Sequence, residues 1–189
     1  MKQKIYLIRH GETEWTLSDQ HTGLTDIPLT PQGESEAKTL KERLKGHAFK
    51  QVLVSPLQRA KKTCALAGFL DQAELDRDLV EWNYGKYEGK KNSDIFKENP
   101  SWEIFKNGAP GGESVAEIEK RALRVLKKIK EVEGDVAVFS HGHFLRVLTA
   151  CYLQLTAAEG RLFFLSTASI SILGYERENP VIILWNSHS

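Results

Sequence analysis

An apolar run near the N-terminus, residues 5–8 (Ile-Tyr-Leu-Ile), ends abruptly in Arg9, His10 and Gly11. Short runs of β-branched, aliphatic and aromatic residues are typical of a strand that is buried on both faces of an α/β sheet. Reactive groups in such sheets gather just beyond the carboxyl ends of the strands. The run therefore predicts a central strand with Arg9 and His10 at a functional edge. An exposed polar strand end fits the tripeptide alone equally well, so the rest of the chain decides.

Two further apolar runs, 52–54 and 136–139, are each followed by a segment with helical character. Thr30 and Pro31 predict the start of another helix that closes at Gly46, because Thr is a good N-cap and Pro fits the first turn. Strands that alternate with helices form parallel sheets covered on both faces. We expect one domain over residues 1–189, a three-layer α/β/α sandwich with a mostly parallel central sheet.

Three other segments complete the predicted architecture. Residues 79–89 are short and aromatic, and they predict a strand end and a turn. Residues 90–110 are polar with scattered apolar positions and a helix-breaking proline, so they predict a small helical insertion, or lid, packed on the main body. The apolar stretches within 168–185 surround Glu-Asn-Pro, which favours a closing hairpin.

Charge and cysteine content exclude several functional classes. The chain has 26 Lys and Arg against 25 Asp and Glu, so no net field favours nucleic acid or an acidic membrane. No apolar run is long enough for a signal segment or a membrane span. The only cysteines, Cys64 and Cys151, fall in apolar helical contexts and predict buried thiols in a reducing compartment. We therefore expect a cytoplasmic protein.

Four cationic or imidazole side chains follow predicted strands: Arg9, His10, Arg59 and His141. Parallel strands bring their carboxyl ends to one edge, so we expect these groups to converge. Guanidinium groups match phosphate oxygens bidentately, and fixed cations stabilise the charge on a phosphoryl group in transfer. The helix that starts at Gly142 would add backbone N–H donors. The pattern predicts a phosphoryl-binding site.

A metal site is the alternative interpretation of His141 and His143, which resemble a His-x-His ligand pair. Alternate residues of an extended segment point to opposite faces, and no cluster of acidic residues accompanies the pair. We therefore predict no metal and no other cofactor. The remaining histidines lie in polar segments and are predicted to be solvated: His21, His47 and His188.

The order of short motifs along the chain resembles the histidine phosphatase superfamily, which has the phosphoglycerate-mutase-like fold. The matching residues are 9–13 (Arg-His-Gly-Glu-Thr), 22–23, 29–33, 55–60 (Ser-Pro-Leu-Gln-Arg-Ala), 81, 85, 88–89, 112–114 and 140–142. An isolated Arg-His-Gly would be a weak signal, whereas the complete series covers nearly the whole chain.

This resemblance implies roles for particular residues. His10 would be the nucleophile that forms a phosphohistidine, and Glu81 would be the general acid and base. Arg9, Arg59, His141 and Gly142 would hold the phosphoryl oxygens, with His141 also counted as catalytic. Glu81 taken by itself is a carboxylate at a strand end, so its role depends on the resemblance.

Chain length and two positions favour a phosphatase over a mutase. Mutases of this family are longer and cover the site, and they have asparagine where this chain has Thr16 and His143. The chain looks most similar to the sugar-bisphosphatase branch, so we expect hydrolysis of a small phosphorylated metabolite such as a sugar phosphate or bisphosphate. Thr16, Thr22 and Gly23 are the candidate contacts to its organic part. A phosphoglycerate mutase-type phosphotransferase and a non-catalytic phosphate-binding module remain the alternatives, and a homodimer is left open.

Overall fold

A central sheet of six strands organises residues 2–188, which are the residues that the computed structural model describes. The strands are β1 (Ile5–Arg9), β2 (Gln51–Val54), β3 (Ala73–Leu75), β4 (Val136–Ser140), β5 (Ile170–Glu176) and β6 (Asn179–Ser187). The α-helices are α1 (Glu14–Leu17), α2 (Pro31–Arg43), α3 (Gln58–Leu66), α4 (Asn92–Glu98), α5 (Ile104–Asn107), α6 (Val115–Lys130) and α7 (Gly142–Tyr152). Short 3-10 helices cover Leu70–Gln72, Arg77–Leu79, Gly85–Tyr87 and Ala157–Leu162.

The strand order is β3-β2-β4-β1-β5-β6. The first four strands in this order run parallel, and β5 and β6 are antiparallel additions at one side. Arg9 lies opposite Ser140, and Val54 lies opposite Phe139, so β1, β2 and β4 end at the same edge. The predicted mostly parallel sheet is confirmed, and so is the closing hairpin, formed by β5 and β6.

Two separate hydrophobic clusters cover the faces of the sheet. On one face Leu7 and Val138 pack with residues of α6 and α7 such as Ile118. On the other face Ile8 packs with α2 and α3, represented by Leu40. Parallel strands with helices on both sides bury both faces, which is why β1 and β4 are almost uniformly apolar. The three-layer α/β/α arrangement is confirmed.

Three local predictions need correction. Thr30 caps α2 as expected, but α2 ends at Arg43, before Gly46. Residues 79–89 contain 3-10 helices and no strand, because the N–H groups of Trp82 and Asn83 donate to the carboxylates of Glu81 and Glu113 and not to a neighbouring strand. The strand β3 was not predicted, because it has only three residues and is largely exposed at the edge of the sheet.

The segment 90–110 forms the predicted helical insertion, as α4 and α5. Its apolar side chains Ile95, Trp102 and Phe105 are buried in the same cluster as α6 and α7. The insertion therefore packs on the main body and contributes to its core. None of the helices within residues 2–188 is long and apolar enough to cross a bilayer.

Candidate active site

A cleft of about 340 Å³ opens where β1 ends. Its lining includes Arg9, His10, Glu81 and Gly142 from the predicted site, together with Thr16 and Thr22. The other lining residues are Glu12, Trp15, Asp19, Gln20, His21, Tyr84, His143, Arg146, Phe164, Leu165 and Thr167. The edge that the strand pattern predicted as functional is therefore concave and polar.

His10 is buried at the base of this cleft. Its backbone is held on both sides, because His10 N–H donates to the Ser140 carbonyl and the His10 carbonyl accepts from Ala168 N–H. The ring Nδ1 lies 2.7 Å from the Gly11 carbonyl oxygen, which can only accept, so Nδ1 carries the proton. Burial, and then the charges of Arg59 and Arg9, hold the pKa of His10 well below its usual value. His10 is therefore a neutral imidazole with an unprotonated Nε2.

The chain turns sharply after His10 because two glycines meet there. A Cβ on Gly11 would lie 2.4 Å from the carbonyl oxygen of Gly33, and a Cβ on Gly33 would lie 2.2 Å from the Glu12 oxygen. Gly11 N–H donates to Thr63 Oγ1, which ties the turn to α3. Only glycine permits this approach of two backbones, and the approach fixes His10 against the start of α2.

Arg9 presents its guanidinium to the cleft from the end of β1. Nη1 donates to the Leu165 carbonyl at 2.5 Å, whereas the buried Nε has no hydrogen-bond partner within residues 2–188. The guanidinium packs on α7 so closely that a Cβ on Gly142 would lie 3.2 Å from Arg9 Cζ. Burial lowers the pKa of Arg9. A buried donor without an acceptor is costly, and it marks a place for an anion.

Arg59 and His141 lie behind the cleft, fully buried. Arg59 Nε donates to His141 Nδ1 at 3.2 Å, so the His141 proton is on Nε2, which donates to Ser55 Oγ at 2.8 Å. The other Arg59 nitrogens donate to main-chain carbonyls of the loop after α1, at Thr22, Gly23 and Thr25. The rings of His10 and His141 are 5.1 Å apart. We call Arg9, His10, Arg59 and His141 the strand-end group.

Burial also governs the charge of His141. Burial first, followed by Arg59, lowers the pKa of His141 well below its usual value. Its ring is neutral, in agreement with the hydrogen bonds that assign its tautomer. The strand-end group thus combines two guanidinium groups with two uncharged imidazoles.

Glu81 is buried and closes the start of α7. Its carboxylate accepts hydrogen bonds from the backbone N–H groups of Trp82 at 2.9 Å, His143 at 3.0 Å and Phe144 at 2.8 Å. A carboxylate at a helix N-terminus satisfies free N–H groups and complements the helix dipole. Glu81 therefore lies beside Gly142 and Arg9 although it is distant in sequence.

The three predicted substrate contacts differ in position. Thr16 lines the cleft, but its hydroxyl is used in the capping box of α1, where it bonds the backbone of Thr13. Thr22 also lines the cleft. Gly23 does not; its N–H donates to Glu88 Oε1 at 2.9 Å and its carbonyl accepts from Arg59 at 2.7 Å. Gly23 thus positions Arg59.

Four other residues that line the cleft were not among the predicted site residues. We call His21, Tyr84, His143 and Arg146 the cleft wall. His21, which was predicted to be solvated, instead lies 4.6 Å from the Tyr84 ring and 5.4 Å from the Trp102 ring, and its Nε2 is 3.0 Å from Asn92 Oδ1. Both Trp102 and Asn92 belong to the insertion, so no local pattern around His21 signals these contacts.

His143 is bound to Tyr84 through a hydrogen bond between its Nδ1 and the tyrosine hydroxyl. His141 and His143 thus have separate partners, and of the two only His143 lines the cleft. Within residues 2–188 there is no group of three or more His, Cys, Asp and Glu side chains that could hold a metal ion. The cysteines are free and buried, and burial raises the pKa of each thiol to about 12.

Comparison of the sequence and fold with known proteins identifies relatives of this chain. Residues 5–188 match the family described as the histidine phosphatase superfamily (branch 1). An acid phosphatase of Mycobacterium tuberculosis is 38% identical over 177 residues, which cover 92% of this chain and 87% of that protein. The sedoheptulose 1,7-bisphosphatase of Saccharomyces cerevisiae is 35% identical over 185 residues, which cover 80% of this chain and 68% of that protein. The solved structure of a Mycobacterium tuberculosis open reading frame product has a TM-score of 0.91 and 34% identity, over 98% of each chain.

Proposed function

The chain belongs to branch 1 of the histidine phosphatase superfamily and is a phosphatase, and we propose that it hydrolyses a small phosphorylated sugar through a phosphohistidine on His10 without a metal ion. The observation that carries this proposal is the state of His10. Its Nδ1 proton is held by the Gly11 carbonyl, and burial beside two arginines keeps the pKa of the ring low. The lone pair of Nε2 is therefore available, and it lies near the guanidinium groups of Arg9 and Arg59. Attack on phosphorus requires such a lone pair.

In the first step, His10 Nε2 forms a bond to phosphorus while the bond from phosphorus to the sugar oxygen breaks. Negative charge spreads over the three phosphoryl oxygens in the transition state, and fixed cations stabilise it. Arg9 supplies its unpartnered Nε–H, and Gly142 supplies the first N–H of α7. Arg59 Nε donates to His141 Nδ1 in the structure. When substrate binds, a phosphoryl oxygen would replace this nitrogen as the acceptor.

Glu81 moves the proton in both steps of this proposal. A proton that Glu81 binds together with the anionic substrate passes to the departing sugar oxygen. The carboxylate then takes a proton from the water that attacks the phosphohistidine, which restores the carboxyl group for the next turnover. Inorganic phosphate leaves and His10 returns to the neutral ring. The support for this role is position, since Glu81 lines the cleft with Arg9 and His10. Its contacts with the α7 N–H groups hold the carboxylate in place.

The test is phosphate release from a panel of sugar phosphates and bisphosphates, with EDTA present, by the wild type and by His10→Ala. We expect release by the wild type to survive the chelator, and His10→Ala to lose on the order of 10⁴-fold or more in kcat, as when a catalytic nucleophile is removed. An acid-labile phosphoryl label should appear on the wild type and on His188→Ala, an exposed histidine outside the cleft. Labelling of His10→Ala would refute the assignment, and so would loss of release with EDTA.

The same assay separates the alternative functions. A phosphoglycerate mutase-type enzyme would interconvert phosphoglycerates faster than it releases phosphate, and a non-catalytic module would bind phosphate without release. We also propose that residues 1–189 act as one domain with 90–110 as its lid and that the location is cytoplasmic. Thr16 and Thr22 would contact the substrate, and Gly23 would act on it through Arg59. A homodimer stays open. Molar mass in solution tests the homodimer.

A further inference from the structure

Two residues of the segment 55–60 contact the same imidazole ring. Arg59 Nε lies 3.2 Å from Nδ1 of His141, and Ser55 Oγ lies 2.8 Å from its Nε2. Ser55 is fully buried where β2 ends, and its backbone N–H donates to the Phe139 carbonyl. The chemistry proposed above uses Arg59 and His141 and gives no part to Ser55.

These two contacts confine the ring proton of His141 to Nε2. The Nε–H group of Arg59 can only donate, so Nδ1 of His141 is the acceptor and carries no proton. A neutral imidazole has one proton, which therefore lies on Nε2 and is donated to Ser55 Oγ. Burial first, followed by Arg59, lowers the pKa of His141 well below its usual value, so the ring does not take up a second proton.

The hydroxyl proton of Ser55 is left without an acceptor. Ser55 Oγ accepts from His141 Nε2 at 2.8 Å and from the Leu57 backbone N–H at 3.4 Å. No atom of residues 2–188 accepts the hydroxyl proton itself. A buried hydroxyl normally donates as well as accepts, as the hydroxyl of Ser140 does to a main-chain carbonyl at 2.7 Å. The Ser55 hydroxyl is therefore a donor that this arrangement does not use.

The tautomer with its proton on Nε2 does not fit a bound phosphoryl group. A phosphoryl oxygen that accepts from Arg59 Nε lies next to His141 Nδ1, because these two nitrogens are 3.2 Å apart. The anionic oxygen and the Nδ1 lone pair are both acceptors, so they repel each other unless a proton lies between them. His141 can hold a phosphoryl oxygen only when Nδ1 carries a proton. The structure thus has an acceptor where the bound state requires a donor.

Two arrangements of protons would supply this donor, and they differ in what happens at Ser55. A second proton on the ring would add a charge to a fully buried position near Arg59 and Arg9, and it would leave the Ser55 proton without an acceptor. A shift of the single proton from Nε2 to Nδ1 adds no charge. Nε2 then has a free lone pair, to which the Ser55 hydroxyl can donate. The shift satisfies every polar hydrogen of the group, so a bound phosphate favours it.

We propose that Ser55 is a positioning residue for His141 and that phosphate binding moves the His141 ring proton from Nε2 to Nδ1. This inference rests on the proposed phosphatase function and deepens it at the same site. In the bound state the Ser55 hydroxyl donates to Nε2, and Nδ1–H donates to the phosphoryl oxygen. Nε2 gives one proton to water and Nδ1 takes one from water, so the ring has one proton in both states.

The experiment records nitrogen-15 NMR spectra of the histidine rings in the wild type, without and with saturating inorganic phosphate. A protonated ring nitrogen and an unprotonated one have well-separated chemical shifts. We expect the protonated nitrogen of His141 to change from Nε2 to Nδ1 when phosphate binds. His10 is the internal reference, because its Nδ1 proton is held by the Gly11 carbonyl and should stay there. The wild type is used, so the result does not depend on the folding of a variant.

Ser55→Ala tests the donor at Nε2. In this variant with phosphate bound, Nε2 of His141 has no hydrogen-bond donor, so its signal should lie downfield of the wild-type signal, which the hydroxyl donor shifts upfield. Ser140→Ala is the matched control, because Ser140 is equally buried and directly precedes His141, but its hydroxyl donates to the Leu79 carbonyl. It should leave the Nε2 signal at the wild-type position.

A proton that stays on Nε2 when phosphate binds would overturn the tautomer change, and so would protons on both ring nitrogens. Equal Nε2 signals in the phosphate-bound wild type and Ser55→Ala would overturn the role of Ser55. A wild type that does not bind phosphate would refute the phosphoryl site, and this inference with it. A wild type that binds phosphate but releases none from sugar phosphates would refute the proposed turnover alone, and the spectra would still decide on the tautomer.

Discussion

The strand-end group and the cleft wall are held in place by different kinds of contact. In the strand-end group, side chains are tied mainly to main-chain oxygens: Arg9 to Leu165, His10 to Gly11, and Arg59 to the loop at Thr22, Gly23 and Thr25. In the cleft wall, three of the four members contact other side chains, His21 with Asn92 and Tyr84 with His143. Only Arg146 is anchored on carbonyls there.

This difference teaches which part of the cleft is fixed and which can vary. Main-chain oxygens are unchanged when a side chain is substituted, so the contacts of Arg9, His10 and Arg59 with them do not depend on the neighbouring side chains. The contacts of His141 with Arg59 and Ser55 are the exception. The phosphoryl group is common to all phosphomonoesters, and a rigid site suits it. The cleft wall depends on the insertion and on side-chain pairs, so substitutions there can change the organic part that is recognised.

The largest effect in a test of the difference between the strand-end group and the cleft wall is expected at Glu81, which lines the cleft together with members of both. Glu81→Gln keeps the size of the side chain but removes proton transfer, so we expect kcat for a sugar phosphate to fall about 10²–10⁴-fold. Hydrolysis of p-nitrophenyl phosphate should fall less, because its leaving group departs as a stable anion. Steady-state kinetics on the two substrates measure this.

Glu113→Gln is the control, since Glu113 is a largely buried carboxylate outside the cleft that pairs with Arg121 at 2.7 Å. It should lower stability and leave the ratio of the two rates unchanged. An equal loss on both substrates for Glu81→Gln would mean that Glu81 serves only as the cap of α7, and the proposed proton transfer would be wrong.

Acid should destabilise the fold through histidines on both sides of the cleft. Burial lowers the pKa values of His10, His21, His141 and His143, so below about pH 6.5 the unfolded chain binds protons that the folded chain does not. The free energy of unfolding therefore falls as pH drops from about 6.5 towards the folded pKa values. Each of the four histidines contributes a slope of up to about 1.4 kcal/mol per pH unit.

Urea denaturation at a series of pH values measures this slope. His10→Ala removes one of the four groups and should reduce the slope by about a quarter, because the others remain in place. If the free energy of unfolding does not change between pH 6.5 and 5.5, the folded protein accepts these protons. The conclusion that the His10 ring is neutral would then be wrong.

Much of the fold was predictable because its central strands are buried on both faces. Uniformly apolar runs such as those of β1 and β4 have no other simple explanation. The edge strand β3 has one partly buried and two exposed residues, so its sequence carries no comparable signal. The end of α2 was predicted too late because Leu44, which caps the helix, continues the apolar spacing.

The candidate site also has one part that the sequence predicts and one part that it does not. The strand-end group was predictable since its residues directly follow strands or open helices, and topology brings such positions together. The cleft wall was not, because His21 owes its position to Trp102 and Asn92, about 70–80 residues further along the chain. The contact of Gly23 with Arg59 could not be predicted for a similar reason, since Arg59 lies on another element.

The smallest expected effect separates the two uses of the cleft wall, to hold the fold and to hold substrate. Tyr84→Phe removes the hydroxyl that binds His143 Nδ1 and leaves that nitrogen without a partner, which should cost about 1–3 kcal/mol of stability. Tyr152→Phe is the matched control, because its buried hydroxyl donates to the Gly174 carbonyl at 2.8 Å outside the cleft. We expect both variants to lose stability in urea denaturation, while only Tyr84→Phe raises KM, by less than about tenfold. If neither variant changes KM, the hydrogen bond between Tyr84 and His143 serves the fold alone.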